Sequence, residues 1–178
     1  DYISALIRDL DCDLKYLQNR QIHSIFIGGG TPSLMSVDDA RELFKGLRQK
    51  LSIPNNIEIT LEANPGTFDV NKFAQFREVG INRLSIGVQS FNNKNLEFLG
   101  RIHSSEEAIQ AIGEAQKVGF ENINIDLMYG LKDQTTELCM EDLSCAIALQ
   151  PNHISFYQLT LEANTLFAKY PPKLPAED

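Results

Sequence analysis

Four groups of residues, far apart in the sequence, carry the chemistry of a polar ligand site. They are the run Gly28-Gly29-Gly30-Thr31-Pro32-Ser33 and the single residues Glu62, Gln89 and Asp126. The glycines expose backbone N–H and C=O groups with no Cβ in the way. A carboxylate accepts from an ammonium group or from ribose hydroxyls, and a primary amide both donates and accepts. Arg101 stands beyond a short helical piece and adds a guanidinium suited to a carboxylate. An amino acid joined to a nucleoside needs this mixture. The glycine run is no Walker loop, since the Gly-Lys-Ser/Thr ending is missing. It also departs from the dinucleotide fingerprint, with Ser33 where a third Gly or Ala belongs. Each residue alone has a plainer reading. The glycines could make a tight turn, Glu62 could be solvated, Asp126 could cap a loop, and Gln89 could satisfy backbone groups.

The elements that would position these residues follow from apolar spacing. Ile57–Glu62, Leu84–Gln89 and Asn122–Leu127 alternate apolar with polar or small residues, the mark of a strand with two unlike faces. Helical stretches separate them, which implies a parallel sheet. Parallel strands are usually apolar on both faces. A polar face of Glu58, Thr60, Glu62, Ser85, Gly87, Gln89, Asn122, Asn124 and Asp126 therefore predicts a curved sheet around a wet cavity. An antiparallel sheet with one solvated face is the alternative. Ligands of parallel α/β folds gather at the carboxyl ends of strands, which is where the glycine turn, Glu62, Gln89 and Asp126 fall.

Along the chain the pattern predicts a helix over 2–19, a strand Ile22–Ile27 and a helix capped by Ser36 running to Leu51. Asp39 makes a variant capping box there. A strand Ile57–Leu61, a turn at Asn64-Pro65-Gly66, a helix Asp69–Val79 and a strand Arg83–Val88 come next. A short helix after Asn92, a helix from Ser104 with Glu107 completing a capping box, and a strand Asn122–Leu127 come after these. A helix Thr135–Leu149 and a strand His153–Gln158 complete the pattern. Gly80 and Gly119 each end a helix just before a strand, so these are successive units of one architecture. Five strands fall short of a closed eight-stranded barrel, which takes about 250 residues. An open partial barrel or a doubly wound sheet fits better.

The chain has 178 residues, 43% of them hydrophobic, and a formal net charge of −8. That balance disfavours a nucleic-acid or anionic-membrane surface as the main partner. Cys12, Cys139 and Cys145 are odd in number and widely spaced, which gives no disulfide framework and no metal-finger pair. Cys139 shares a helical stripe with Met140, Leu143, Ala146 and Ile147 and reads as a small core hydrophobe. His23 and His153 sit near strand beginnings and read as structural, and His103 reads as a loop histidine. Tyr129 comes soon after Asp126 and could pack on a ligand.

The segments Ile25–Ser33, Leu61–Gly66, Ser85–Phe91 and Asn124–Leu131 resemble, in order and spacing, the radical SAM proteins of the oxygen-independent coproporphyrinogen III oxidase group. Leu99–His103 and Tyr157–Thr165 are most similar to the haem-chaperone branch of that group. The resemblance implies an incomplete (β/α)6 barrel over 1–168, of which about five parallel strands are present, and a proline-rich linker over 169–178 to a further C-terminal domain. It implies S-adenosylmethionine beside a [4Fe–4S] cluster. Gly29, Gly30 and Thr31 would meet the methionine end, and Glu62, Gln89, Arg101 and Asp126 would make the other polar contacts. It implies haem or a porphyrin as ligand, haem-acceptor proteins as partners, peripheral membrane association of the intact protein, no nucleic acid, and a cytoplasmic location.

The family's Cys-x-x-x-Cys-x-x-Cys cluster loop is not in this sequence. By resemblance it lies upstream of the first helix, so Cys12 is no cluster ligand and no metal ligand is assigned. The haem-binding His-Asn-x-x-Tyr-Trp motif would lie beyond Asp178. Asp1 is not a natural start, and the chain reads as a segment of a longer protein. As such it is expected to hold no cluster, to perform no radical cleavage, and to expose a sheet edge prone to mispairing. The alternatives are a coproporphyrinogen dehydrogenase, which oxidatively decarboxylates two propionates, and a nucleotide-binding α/β domain without redox chemistry. The sequence identifies no catalytic residue.

Overall fold

The computed structural model describes residues 2–18 and 20–175. The expected end of the first helix at residue 19 and the last three residues of the tail lie outside the described residues. The element order is α1 (Tyr2–Leu17), β1 (Ser24–Ile27), α2 (Val37–Lys50), β2 (Glu58–Ala63), α3 (Val70–Val79), β3 (Arg83–Gln89), α4 (Asn93–Phe98), α5 (Ser105–Val118), β4 (Asn122–Tyr129), α6 (Thr136–Ala148), β5 (His153–Gln158) and α7 (Leu166–Lys169). Short 3-10 turns succeed β1 and β2 at Pro32–Leu34 and Pro65–Thr67.

The five strands form one parallel sheet in the order β1-β2-β3-β4-β5. Parallel crossovers share one hand, so a strictly sequential order puts every connecting helix on the same face. The core agrees. Ile59, Leu61, Leu84, Ile86, Ile123 and Ile125 point to that face and pack with Phe44 of α2, Phe73 and Phe76 of α3, Ile112 of α5 and Ala146 of α6. Full burial of each large side chain is worth about 1.5–3 kcal/mol. The opposite face carries the polar partners of the alternation. A doubly wound sheet would cover both faces and is excluded by this order.

The helix ends obey local chemistry. Ser104 and Glu107 close a full capping box on α5. At α2 the Ser36 hydroxyl accepts from Asp39 N but donates to Asp39 Oδ2, so Asp39 does not reach back to the cap's own N–H. Gly80 and Gly119 end α3 and α5 at φ 119° and 97°, a region that costs other residues energy.

Two asparagines pin the strand entries. Asn82, just before β3, accepts from Ile59 N and donates to Ile57 O, both at 2.8 Å, at the entry to β2. Asn152, just before β5, accepts from Ile123 N at 3.1 Å at the entry to β4. Each side chain extends the ladder beyond the point where the neighbouring strand begins.

Some expectations need correction. β1 begins at Ser24, two residues after Ile22. β4 extends to Tyr129 because β5 pairs with it along that length. Lys169, at the start of the expected tail, ends the helical turn α7. The stripe on α6 splits: Ala146 is buried, but Met140 and Ile147 are 54% and 62% exposed and Cys139 is only half-buried. The helix turns Asp142 inward instead.

Candidate functional site

The polar face of the sheet is built in tiers. At the base, Arg83 donates to Asn122 Oδ1 at 3.2 Å and to Thr60 Oγ1 at 3.3 Å, with Glu58 at 3.8 Å. In the middle, the buried Asn124 amide donates to Ser85 Oγ at 2.8 Å and to Asp126 Oδ1 at 2.7 Å. Ser85 in turn donates to Asp126 Oδ2 at 3.0 Å. Asn124 Oδ1 accepts from Ser155 and pairs with His153 Nδ1 at 2.6 Å. Buried polar groups this well satisfied rigidify their surroundings.

The rim at the carboxyl ends forms an open cleft of about 250 Å³ lined by Gly30, Thr31, Glu62, Ala63, Asn64, Ser85, Gly87, Gln89, Arg101, Asp126 and Tyr157. Six of the predicted ligand residues thus share one cleft: Gly30, Thr31, Glu62, Gln89, Arg101 and Asp126. Gly29 lines a neighbouring cavity beside α1 and β1, and its N–H donates to Glu62 Oε2 at 3.0 Å. That bond ties the glycine turn to β2. The second Glu62 oxygen and the outer lone pairs of Asp126 remain available as acceptors. Among the described residues the Arg101 guanidinium has no ion-pair partner. The cleft therefore offers an anion-seeking group and two cation- or hydroxyl-seeking groups at fixed places. That donor set suits a ligand with ammonium, carboxylate and ribose hydroxyl groups.

Parity along the strands decides two aromatic residues. Asn122, Asn124 and Asp126 face the cleft side, so Tyr129 falls on the other face. It packs against Phe156 with ring centroids 4.9 Å apart and the rings tilted by 45°. The expectation that Tyr129 meets a ligand is not met in this geometry. Tyr157 takes that place instead, because Ser155 pairs with Asp126 and β5 repeats the same alternation. Its hydroxyl donates to Gln89 Oε1 at 2.5 Å. Desolvation, and after it the Asp126 charge, pushes its phenol above the usual range. The period-two pattern of His153, Ser155 and Tyr157 could have revealed this residue.

His103 lies in the loop between α4 and α5, as expected, but is buried there. Its Nε2 donates to Val88 O at 3.1 Å and its Nδ1 has no partner. Desolvation holds its pKa below the ordinary value. It braces the end of β3 from behind the cleft. His153 hangs on Asn124, in a structural role as expected.

Residues 6–143 match the family model of the radical SAM superfamily. The chain belongs to that superfamily. It spans about half the length of the curated relatives it matches. The haem chaperone HemW of Haemophilus influenzae is 50% identical over 182 residues, covering 100% of this chain and 48% of the relative. HemW of Escherichia coli K12 is 49% identical over 178 residues, covering 100% and 47%. Among solved structures, the radical SAM enzyme coproporphyrinogen III oxidase HemN of Escherichia coli superposes with a TM-score of 0.86 at 29% identity, covering 98% of this chain and 41% of that one. The archaeal Elp3 of Methanocaldococcus infernus, at 16% identity and a TM-score of 0.74 over 95% of this chain and 45% of that one, shares the fold. The open five-stranded sheet is thus a partial radical SAM barrel.

Superfamily membership implies S-adenosylmethionine and a [4Fe–4S] cluster. The cleft's donor set fits the first. It does not fit the second: among the described residues no group of three or more His, Cys, Asp or Glu side chains is placed to hold a metal. Cys12 is exposed on α1, and Cys139 and Cys145 sit on α6. No described helix is long and apolar enough to cross a membrane.

Proposed function

We propose that this chain is the S-adenosylmethionine-binding core of a haem chaperone. The observation that carries the reading is the meeting of Gly30, Thr31, Glu62, Gln89, Arg101 and Asp126 in one cleft at the strand ends. They come from successive βα units and loops of a radical SAM barrel. Gly30 and Thr31, with Gly29 behind them, cradle the methionine end. Glu62 accepts from the ammonium, Arg101 engages the carboxylate, and Asp126 accepts from ribose hydroxyls. When bound, S-adenosylmethionine supplies the superfamily's radical chemistry, while the protein supplies orientation and electrostatics.

The chaperone reading rests on the relatives named as haem chaperones at 50% and 49% identity. Haem is then the cargo and haem-acceptor proteins are the partners. A cytoplasmic location with peripheral membrane association belongs to the same reading. Residues 1–168 act as the barrel core and 169–178 as the linker to a C-terminal domain. The second reading is coproporphyrinogen dehydrogenation, favoured by the 29% identity to HemN over 98% of the chain.

The test uses the full-length protein with its cluster reconstituted under anaerobic conditions. Haem binding and transfer to an apo-acceptor are measured beside decarboxylation of coproporphyrinogen III. Haem transfer without decarboxylation is expected. Sustained decarboxylation would overturn the chaperone assignment in favour of the dehydrogenase.

A further inference from the structure

Gln89 is held from outside the cleft at both its backbone and its side chain. Its φ of 74° lies in the left-handed region, uncommon for a residue with a side chain. The ladder slips there, since Ile86 pairs with Ile125 but Gln89 with Leu127. One extra residue on β3 makes a bulge that re-aims the chain. The next two residues are clamped. Ser90 Oγ donates to Asp142 Oδ2 at 2.7 Å, and Phe91 N donates to Asp142 Oδ1 at 2.6 Å.

Asp142 comes from α6 and is only 3% exposed. Among the described residues no cation pairs with it, and burial pushes its carboxyl above the ordinary range. A buried carboxylate that bonds only to the loop after Gln89 costs desolvation and touches nothing in the cleft. Its effect is to fix the backbone on which Gln89 stands.

At the side chain, the Tyr157 hydroxyl occupies Gln89 Oε1. The Nε2 group is then turned over Gly87, where a Cβ would come within 3.0 Å of it. Glycine at 87 leaves the space this amide occupies. With Oε1 occupied by a donor, Gln89 presents N–H groups to a cleft otherwise supplied with carboxylates at Glu62 and Asp126.

We propose that Asp142 and Tyr157 are positioning residues that preset Gln89 as a hydrogen-bond donor to an oxygen or nitrogen acceptor of the bound cofactor. This rests on the S-adenosylmethionine reading above. Fixing the amide before binding spares its rotamer entropy at the moment of association.

The test is a pair of double-mutant cycles on the full-length reconstituted protein, with labelled S-adenosylmethionine as the probe in equilibrium dialysis. Tyr157→Phe, Asp142→Asn and Gln89→Ala are each expected to weaken binding about tenfold. In the Gln89→Ala background, Tyr157→Phe and Asp142→Asn should change the affinity less than about twofold. Undiminished effects in that background would overturn the proposal, because Tyr157 would then contact the cofactor itself and Asp142 would act through the fold at large. If Asp142→Asn does not fold, Ser90→Ala breaks the same link from the loop side and takes its place in the cycle. A wild-type protein that binds no S-adenosylmethionine would sink the parent reading instead, a result distinct from additive losses in a protein that binds.

Discussion

At the scale of single residues, the cleft separates groups that bind from groups that hold. In the proposed reading Asp126 would do both, since Ser85 and Asn124 donate to it from below while its outer lone pairs face the cleft. Asp126→Asn keeps the shape and removes the charge. It should weaken S-adenosylmethionine by about 10–100-fold, the worth of a charge-assisted bond of about 1.5–3 kcal/mol. Thermal unfolding should move little, and a large drop in Tm with unchanged affinity would make Asp126 structural. Glu62→Gln should behave alike, because one oxygen can still accept from Gly29 N.

His103 gives a pH effect of definite sign. Its folded pKa is depressed, so the imidazole takes up a proton more readily in the unfolded chain than in the fold. The stability it allows is present above its unfolded pKa, about 6.5, and is lost as pH falls toward the folded value. Arg101, which opposes the proton, and Glu107, which favours it, are the charges that act on it. Denaturation midpoints measured from pH 7.5 downward should fall more steeply in the wild type than in His103→Gln. Parallel slopes would assign the acid sensitivity to other groups.

At the scale of elements, the strand entries carry a repeated device. The Asn82 amide bonds to both Ile59 N and Ile57 O. Asn82→Ala leaves two backbone groups without partners and should cost about 1–3 kcal/mol in denaturant unfolding. Asn82→Asp should cost more, since it sets a carboxylate oxygen against the Ile57 carbonyl. Asn82 lies at the end of the sheet away from the cleft, so cofactor affinity in the folded fraction should stay unchanged in both variants. Elements are also where the sequence is most readable. Capping signals at Ser104 and Gly119 and the alternation of Leu84–Gln89 mark elements within a residue or two, because each depends on neighbours close in the chain. Tyr157 and His103 are harder for the opposite reason. The place of Tyr157 depends on how β5 registers against β4, and the burial of His103 depends on the end of β3 folding over it. Met140 and Ile147 look like core by composition, yet α6 is rotated so that Asp142 can reach Ser90 and Phe91.

At the scale of the whole molecule, the sheet is open. Among the described strands β1 pairs only with β2, and Phe26 on it is 57% exposed. Beside it a cavity of about 550 Å³ is lined by Ile3, Leu6, Ile25 and Met35 among others. Unpaired strand edges template association. The isolated 178-residue chain should therefore self-associate with rising concentration in sedimentation velocity, and Phe26→Lys should reduce this. A monomer at all concentrations would show that the edge is protected.

The strand order has one more effect. Glu62 stands on β2 and Asp126 on β4, two lateral steps apart, roughly 9–10 Å at the spacing of hydrogen-bonded strands. Backbone ladders hold that interval, not flexible connections. The sheet thus works as a gauge: a molecule that engages both carboxylates must have its two polar ends separated by a matching length, and a homologue longer or shorter by a methylene would have to strain one of the two contacts.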